Sequence, residues 1–247
     1  LLMLYPENKA IAGKSQVNES ANNVLLGMKG VPALAEEMQI ARDIFLATYH
    51  NAPIHISNIS TAGSVALIKK AKKDGVKISC DVAAHQLIFT EELLNDFDSN
   101  YKVKPPLRSK TDNKALIVGL KDGTIDAVCS QHRPHEIEFK DVEFEIAAYG
   151  IIALQTVLPV LLQAGLDPAL IVEKLAINPR KLLNLPIPVI KLGEKANFTL
   201  YHPTQEWEYN LSNNFSKSNN SPLLGKTLKG KVALVYNKKK KKKYETP

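Results

Sequence analysis

Ile54-His-Ile-Ser-Asn-Ile-Ser60, the segment Thr61 to Gly75, and Val76-Lys-Ile-Ser-Cys-Asp-Val82 form the stretch whose reading decides the fold. The run from Pro53 to Ser60 is short and rich in β-branched residues, so it reads as a strand. Ala62 to Asp74 has a helical pattern and is stopped by Gly75. Val76 to Val82 reads as the next strand. Strand, helix and strand at this spacing make the β/α unit of a parallel sheet.

Working outward, Leu1-Leu2-Met3-Leu4-Tyr5 reads as a buried strand that starts abruptly, without an initiating Met, so a preceding segment is expected in the intact protein. A polar stretch from Pro6 to Gly30 follows. Pro32 opens a helix in which Met38, Ala41, Ile44, Phe45 and Thr48 recur at helical spacing, which predicts one core-facing stripe. Downstream, a long connection through Pro105-Pro106 leads to a helix over Asp112 to Lys121 and a strand over Thr124 to Ser130. Tyr149 to Ala164 reads as a largely apolar helix interrupted by Pro159 and stopped by Gly165, with shorter helices after it through Leu183. The Pro-rich junction Leu185-Pro-Ile-Pro188 precedes strand-like runs at Asn197 to Tyr201 and Lys231 to Tyr236. The expected organisation is an α/β unit over residues 1–185 and a small β domain with a lysine-rich tail over 186–247. About four barrel-type strands are present where a closed (β/α) barrel takes eight, so the expectation is a partial TIM-type barrel.

The 247 residues are 45% hydrophobic and 23% charged, the composition of a globular protein and not of a disordered one. No run of eighteen apolar residues and no charged-then-apolar leader is readable, which predicts a cytoplasmic protein without a membrane span. The net charge of +7 owes six of its units to Lys238 to Lys243, and the remainder is nearly neutral. With no aromatic or Arg-rich pattern beside it, that run reads as a solvated tail, not a nucleic-acid contact. Cys80 and Cys129 lie in strand-like runs without metal-clip spacing and read as buried free thiols.

Several motifs occur in a fixed order: Ile54-His-Ile-Ser-Asn-Ile-Ser-Thr-Ala-Gly-Ser64, Tyr101-Lys-Val-Lys-Pro-Pro-Leu-Arg108, Asp122-Gly-Thr-Ile-Asp126, His132-Arg-Pro-His135, Val142-Glu-Phe-Glu145 with Tyr149-Gly-Ile-Ile152, and Asn178-Pro179. Together they resemble dihydroorotase of the bacterial type, in the amidohydrolase superfamily. The resemblance runs from Tyr5 to about Val235. It implies the last four strands of a barrel of the metal-dependent hydrolase kind and, in a working member, a zinc enzyme that interconverts carbamoyl aspartate and dihydroorotate in pyrimidine synthesis. Zinc there polarises the cyclic amide carbonyl and acidifies a bound water, and an Asp after the last strand handles the proton.

Carried over by position, the family's two middle-strand histidines fall on Tyr5 and Asn58, and its catalytic Asp falls on Gln131. A phenol titrating near pH 10, an amide oxygen and a neutral amide are poor substitutes for imidazole and carboxylate. The first-strand His-x-His pair would lie before Leu1. No intact catalytic residue, no metal site and no cofactor are therefore expected, with zinc expected only if the chain is an active cyclic amide hydrolase after all. Substrate-contact positions survive at His135, Tyr149 and Gly150, while Lys104 stands where the family commonly has Asn before Pro-Pro-Leu-Arg. His135 and Lys104 either retain an anion site or, for His135, serve loop structure.

Among the other histidines, His55 reads as a packed structural residue, His85 as a loop residue, His132 as the more credible pocket residue, and His50 and His202 as surface positions. Glu7 and Asp81 are the carboxylates near the strand ends, a set conceivable for magnesium but poor for zinc. Lys191 to Pro203, Asn219 to Gly225 and Leu228 to Val232 resemble the family's small β domain, with Asn197 where Asp is usual. The resemblance thus implies a non-catalytic protein with a structural or regulatory role, for which aspartate transcarbamoylase is the partner to expect. If the 247 residues are the whole molecule, four strands with an open edge also predict a homo-oligomer, by pairing with another copy or swapped closure.

Overall fold

A computed structural model describes residues 1–237 and 240–243. The chain begins with β1 (Leu2–Leu4), α1 (Lys9–Ala12), β2 (Val17–Asn18), α2 (Ala21–Leu25) and β3 (Gly30–Val31). The stretch read as merely polar thus folds into small elements, held by local side-chain caps that hydropathy does not register. Asn8 Oδ1 accepts from the Ala10 and Ile11 amides, and Ser20 and Asn23 form a reciprocal box at the start of α2. β2 and β3 pair parallel as a two-stranded ribbon.

The long helix α3 (Leu34–His50) leads into β4 (Ile54–Ile56), α4 (Ala62–Lys73), β5 (Ile78–Ala83), α5 (Lys110–Lys121) and β6 (Ala127–Cys129). β1, β4, β5 and β6 form one parallel sheet in that order. Every residue of β4 and β5 is buried, as expected of a parallel sheet covered by helices. The core joins Ile40 of α3, Ile68 of α4 and Leu116 and Leu120 of α5 to Ile56, Cys80, Val82 and Val128 of the strands. Thr61 caps α4, and Ser109 with Asp112 makes a capping box on α5. Asp112 also accepts from the Ala62 amide (2.8 Å), which ties the two helix starts together. This is four strands of parallel β/α architecture, and the barrel is not closed.

Three expectations need correction. The stripe Met38, Ala41, Phe45 and Thr48 does not face the core, and Ile44 lies only at its margin. The buried face of α3 is instead Glu36, Ile40, Asp43 and Ala47, on the opposite side of the helix, because the carboxylates of Glu36 and Asp43 find partners there. Leu1, Leu2 and Met3 are more than half exposed, because β1 is an edge strand paired only with β4. Tyr149 to Thr156 is not helical. It runs as a loop with Gly150 at φ 125° and Ile151 bridged to His132, and the helix is confined to α6 (Val157–Gln163).

α7 (Pro168–Val172), a π turn at Glu173–Ile177 and α8 (Asn178–Leu182) complete this part. After residues 183–196, β7 (Asn197–Tyr209) and β8 (Lys226–Asn237) pair antiparallel, both longer than their apolar runs suggest. β9 (Lys240–Lys243) adds to β8, so part of the lysine run is strand, with Lys242 and Lys243 exposed. Lys238 and Lys239 lie outside the described residues. β8 packs on α6, with Gly230 close against Leu162 and Pro159.

Candidate functional site

Parallel strands bring their carboxyl ends to one side of the sheet, and the loops beyond them form the site. Asn58, two residues past β4, has φ 58°, and Gln131, two past β6, has φ 48°. These left-handed backbones aim the turns, and the side chains are committed locally. Asn58 donates its backbone N–H to Asp81 Oδ1 (2.8 Å), and its amide oxygen accepts from Cys129 Sγ (3.1 Å). Burial, and then the Asp81 charge, hold the Cys129 thiol well above its ordinary range. Gln131 Nε2 donates to the Lys104 carbonyl (2.9 Å).

Across the mouth of the site, Lys104 Nζ pairs with Glu7 Oε1 at 2.7 Å and stands 5.6 Å from the Tyr149 ring centroid. Burial, with the neighbouring carboxylates of Glu7 and Glu36 adding to it, pushes the Tyr5 phenol above its ordinary range, so a phenolate ligand is further disfavoured. The cavity that Tyr5, Glu7, Lys104, Arg108 and Tyr149 share with their neighbours has a volume of about 20 Å³. That is room for about one water.

Beneath this cavity lies a network that the sequence did not announce. Glu36 accepts from the Ser60 amide (2.7 Å), the Ser60 hydroxyl, the Ser64 hydroxyl (2.6 Å) and the Thr61 amide (3.2 Å). Arg108, 1% exposed, donates to Ser60 Oγ (3.0 Å), Asn18 Oδ1 (2.7 Å) and the Val31 carbonyl (2.9 Å), with Glu36 at 3.7 Å. The Arg of the Pro-Pro-Leu-Arg run therefore fastens the β2–β3 ribbon over the strand ends. Its place in a motif was the signal that could have found it.

His135 Nε2 lies 2.9 Å from the Tyr149 carbonyl, so it carries the hydrogen and donates. The loop holding Tyr149 and Gly150 is clamped by two buried ammonium groups. Lys102 donates to the carbonyls of Phe144 and Glu145, and Lys140 to those of Ser99, Ala148 and Gly150. Burial lowers both to about 8. Lys102 shares the motif of Arg108, while nothing in the sequence distinguishes Lys140 from a surface lysine. With Lys104 paired to Glu7 and His135 engaged by its own loop, the two candidate anion contacts have partners within the chain.

His55 sits inside the sheet, Nδ1 2.8 Å from Ser79 Oγ and Nε2 2.9 Å from Asp81 Oδ2. The carboxylate can only accept, so Nε2 carries the hydrogen. Hydroxyl, imidazole and carboxylate are in line, yet all three are buried and none lines either cavity, which makes the arrangement structural. His85 is buried in a 3-10 turn (Ala84–Leu87) with neither ring nitrogen bonded among the described residues, and burial lowers it to about 4. His132 Nδ1 accepts from the Ala153 and Leu154 amides, and the residue lines a larger cleft between α6 and the β7–β8 pair, not the strand-end cavity. His50 and His202 are exposed, Cys80 is buried, and Cys129 is partly exposed.

Among the described residues no group of three or more His, Cys, Asp or Glu side chains could hold a metal ion. Asp81 is taken by His55 and Asn58, and Glu7 by Lys104, so the two acids do not converge on a magnesium site either. The residues present do not fit zinc.

No protein-family model matches the chain. It is 40% identical over 237 residues to a dihydroorotase of Geotalea daltonii, covering 94% of this chain and 56% of the relative. A dihydroorotase of Acetivibrio thermocellus is also 40% identical, over 92% of this chain and 54% of its own length. Among solved structures, the L-hydantoinase (dihydropyrimidinase) of Arthrobacter aurescens superposes with a TM-score of 0.83 at 22% identity, over 97% of this chain and 56% of that one. An inactive dihydroorotase-like domain of a Chaetomium thermophilum CAD-like multifunctional protein gives a TM-score of 0.59 at 23% identity, over 80% and 53%. The chain is dihydroorotase-like along nearly all of its length, and it spans about half the length of the curated relatives it matches. No helix among the described residues is long and apolar enough to cross a membrane.

Proposed function

We propose that this chain is a dihydroorotase-like protein of pyrimidine biosynthesis that does not carry out metal-dependent ring hydrolysis and acts through its structure, with aspartate transcarbamoylase as its partner. The observation that carries the reading is the fate of the three strand-end positions. Tyr5, Asn58 and Gln131 lack zinc-ligand chemistry, and the side chains of Asn58 and Gln131 are tied into local contacts in place of converging on a metal. The Lys104–Glu7 pair stands across the remaining space. A preceding half carrying a His-x-His pair would leave those three positions as they are. A metal-free member could still bind whatever its relatives assemble with, since a scaffold needs surface and not a reactive centre.

Co-purification of the 247-residue chain with aspartate transcarbamoylase tests the scaffold role. A stable complex of defined stoichiometry is expected. Two proteins that elute independently at micromolar concentration would remove the partner from the proposal.

A further inference from the structure

We propose that Glu7 is a built-in carboxylate ligand of Lys104, an autoinhibitory contact that occupies the cation an external carboxylate would meet at the strand ends. The inference rests on the reading of this site as metal-free and adds what holds its remaining cation. Among the described residues that line the strand-end cavity, two are cations, Lys104 and Arg108, and two are carboxylates, Glu7 and Glu36. They are matched in pairs, Lys104 with Glu7 at 2.7 Å and Arg108 with Glu36 at 3.7 Å. A further anion would enter a balanced site as an uncompensated charge.

The two cations differ in access. Arg108 is 1% exposed, and its hydrogens go to Ser60, Asn18 and Val31. The Lys104 side chain is 39% exposed, so an anion arriving from solvent meets this ammonium. Glu7, whose side chain is 13% exposed, already holds it.

Both partners are fixed through their backbones. The Glu7 amide donates to the Tyr5 carbonyl (3.0 Å), and the next amide, that of Asn8, donates to the Ala35 carbonyl (2.8 Å) before the Asn8 side chain caps α1. The Lys104 carbonyl accepts from Gln131, and the ammonium stands beside the Tyr149 ring. The contact therefore ties the turn after β1 to the connection before α5, next to the loop holding Tyr149. With the backbone set on both sides, little order is lost in forming it. After burial, the Glu7 charge also raises the phenols of Tyr5 and Tyr149, which places the carboxylate within electrostatic reach of both.

Chemical complementation of the 247-residue chain tests the contact. Glu7→Ala removes a methylene and a carboxylate, which acetate reproduces, and leaves the Lys104 ammonium without its partner. Sodium acetate, compared with sodium chloride at equal ionic strength, should give a saturable rise in the Tm of Glu7→Ala. No such rise is expected in the native chain, or in Glu7→Ala combined with Lys104→Met. Glu7→Gln keeps the shape and removes the charge, and so tests the pair without opening space. Labelling of the Lys104 amine by dilute acetic anhydride, read by mass spectrometry against exposed Lys121, should be about fivefold faster in Glu7→Gln than in the native chain, in line with the loss of a partly exposed ion pair. An acetate response in the native chain, a Glu7→Ala chain that folds without responding, a response that survives Lys104→Met, or equal labelling in Glu7→Gln overturns the proposal. Zinc in the purified chain would instead overturn the metal-free reading, and it is measured separately from these outcomes.

Discussion

Replacing Arg108 by Met tests whether the ribbon over the strand ends is held by a buried cation. The side chain is 1% exposed, and its removal leaves Ser60 Oγ, Asn18 Oδ1 and the Val31 carbonyl without a donor they now have, and the buried Glu36 carboxylate without the cation 3.7 Å away. Breaking one side of a buried charged network costs about 3–5 kcal/mol, because the partner charge stays buried and uncompensated. Against a domain stability of about 5–15 kcal/mol this is a large share. With a urea slope of about 2 kcal/mol/M, the unfolding midpoint should fall by roughly 1.5–2.5 M. Glu36→Gln in the same chain removes the stranded charge while its amide oxygen still accepts from Ser60 and Thr61. The double variant should therefore be less costly than the sum of the single ones, by about 0.5–3 kcal/mol. A loss under about 1 kcal/mol for Arg108→Met, or strict additivity, would refute the assignment.

Further outcomes follow from the other buried groups. His85 is neutral in the fold and titrates near 4, while in the unfolded chain it takes up a proton near 6.5, so acid favours the unfolded chain. Stability should fall as pH drops from 6.5 to 4, by about 3 kcal/mol from this residue alone, and His85→Leu should flatten that limb of a urea-midpoint profile. An unchanged slope in the variant would show that the acid limb arises elsewhere. Lys104→Asn removes the Glu7 ion pair and opens the strand-end cavity, yet dihydroorotate turnover should stay absent, because no ligand is restored at Tyr5, Asn58 or Gln131. Turnover in that variant would mean that Lys104, and not the missing donors, silences the site.

The strands were legible because β4 and β5 are short runs bounded by turns and carrying β-branched residues, and Gly75 stops the helix between them. The face of α3 was misread because its buried side carries Glu36 and Asp43. Periodicity weighs apolar residues and is blind to carboxylates that find partners, Asp43 within its own helix at Gln39 and Arg42 and Glu36 far along the chain at Ser60, Ser64 and Arg108. Tyr149 to Thr156 was taken for helix for a related reason, since an apolar run does not reveal that Gly150 has φ 125°. At the site, the substitutions at Tyr5, Asn58 and Gln131 could be read residue by residue. The contacts that fix Asn58 and Gln131 could not, because Cys129 reaches Asn58 only through the sheet order and the Lys104 carbonyl reaches Gln131 only through the path of the connection before α5.

The central claim is that these strand ends hold no catalytic metal, and metal content by mass spectrometry on chain purified without chelator, with a dihydroorotate hydrolysis assay on the same sample, tests it most directly. The account predicts well under about 0.1 zinc per chain and no turnover above buffer, whereas about one or two zinc ions per chain, or measurable hydrolysis, would contradict it.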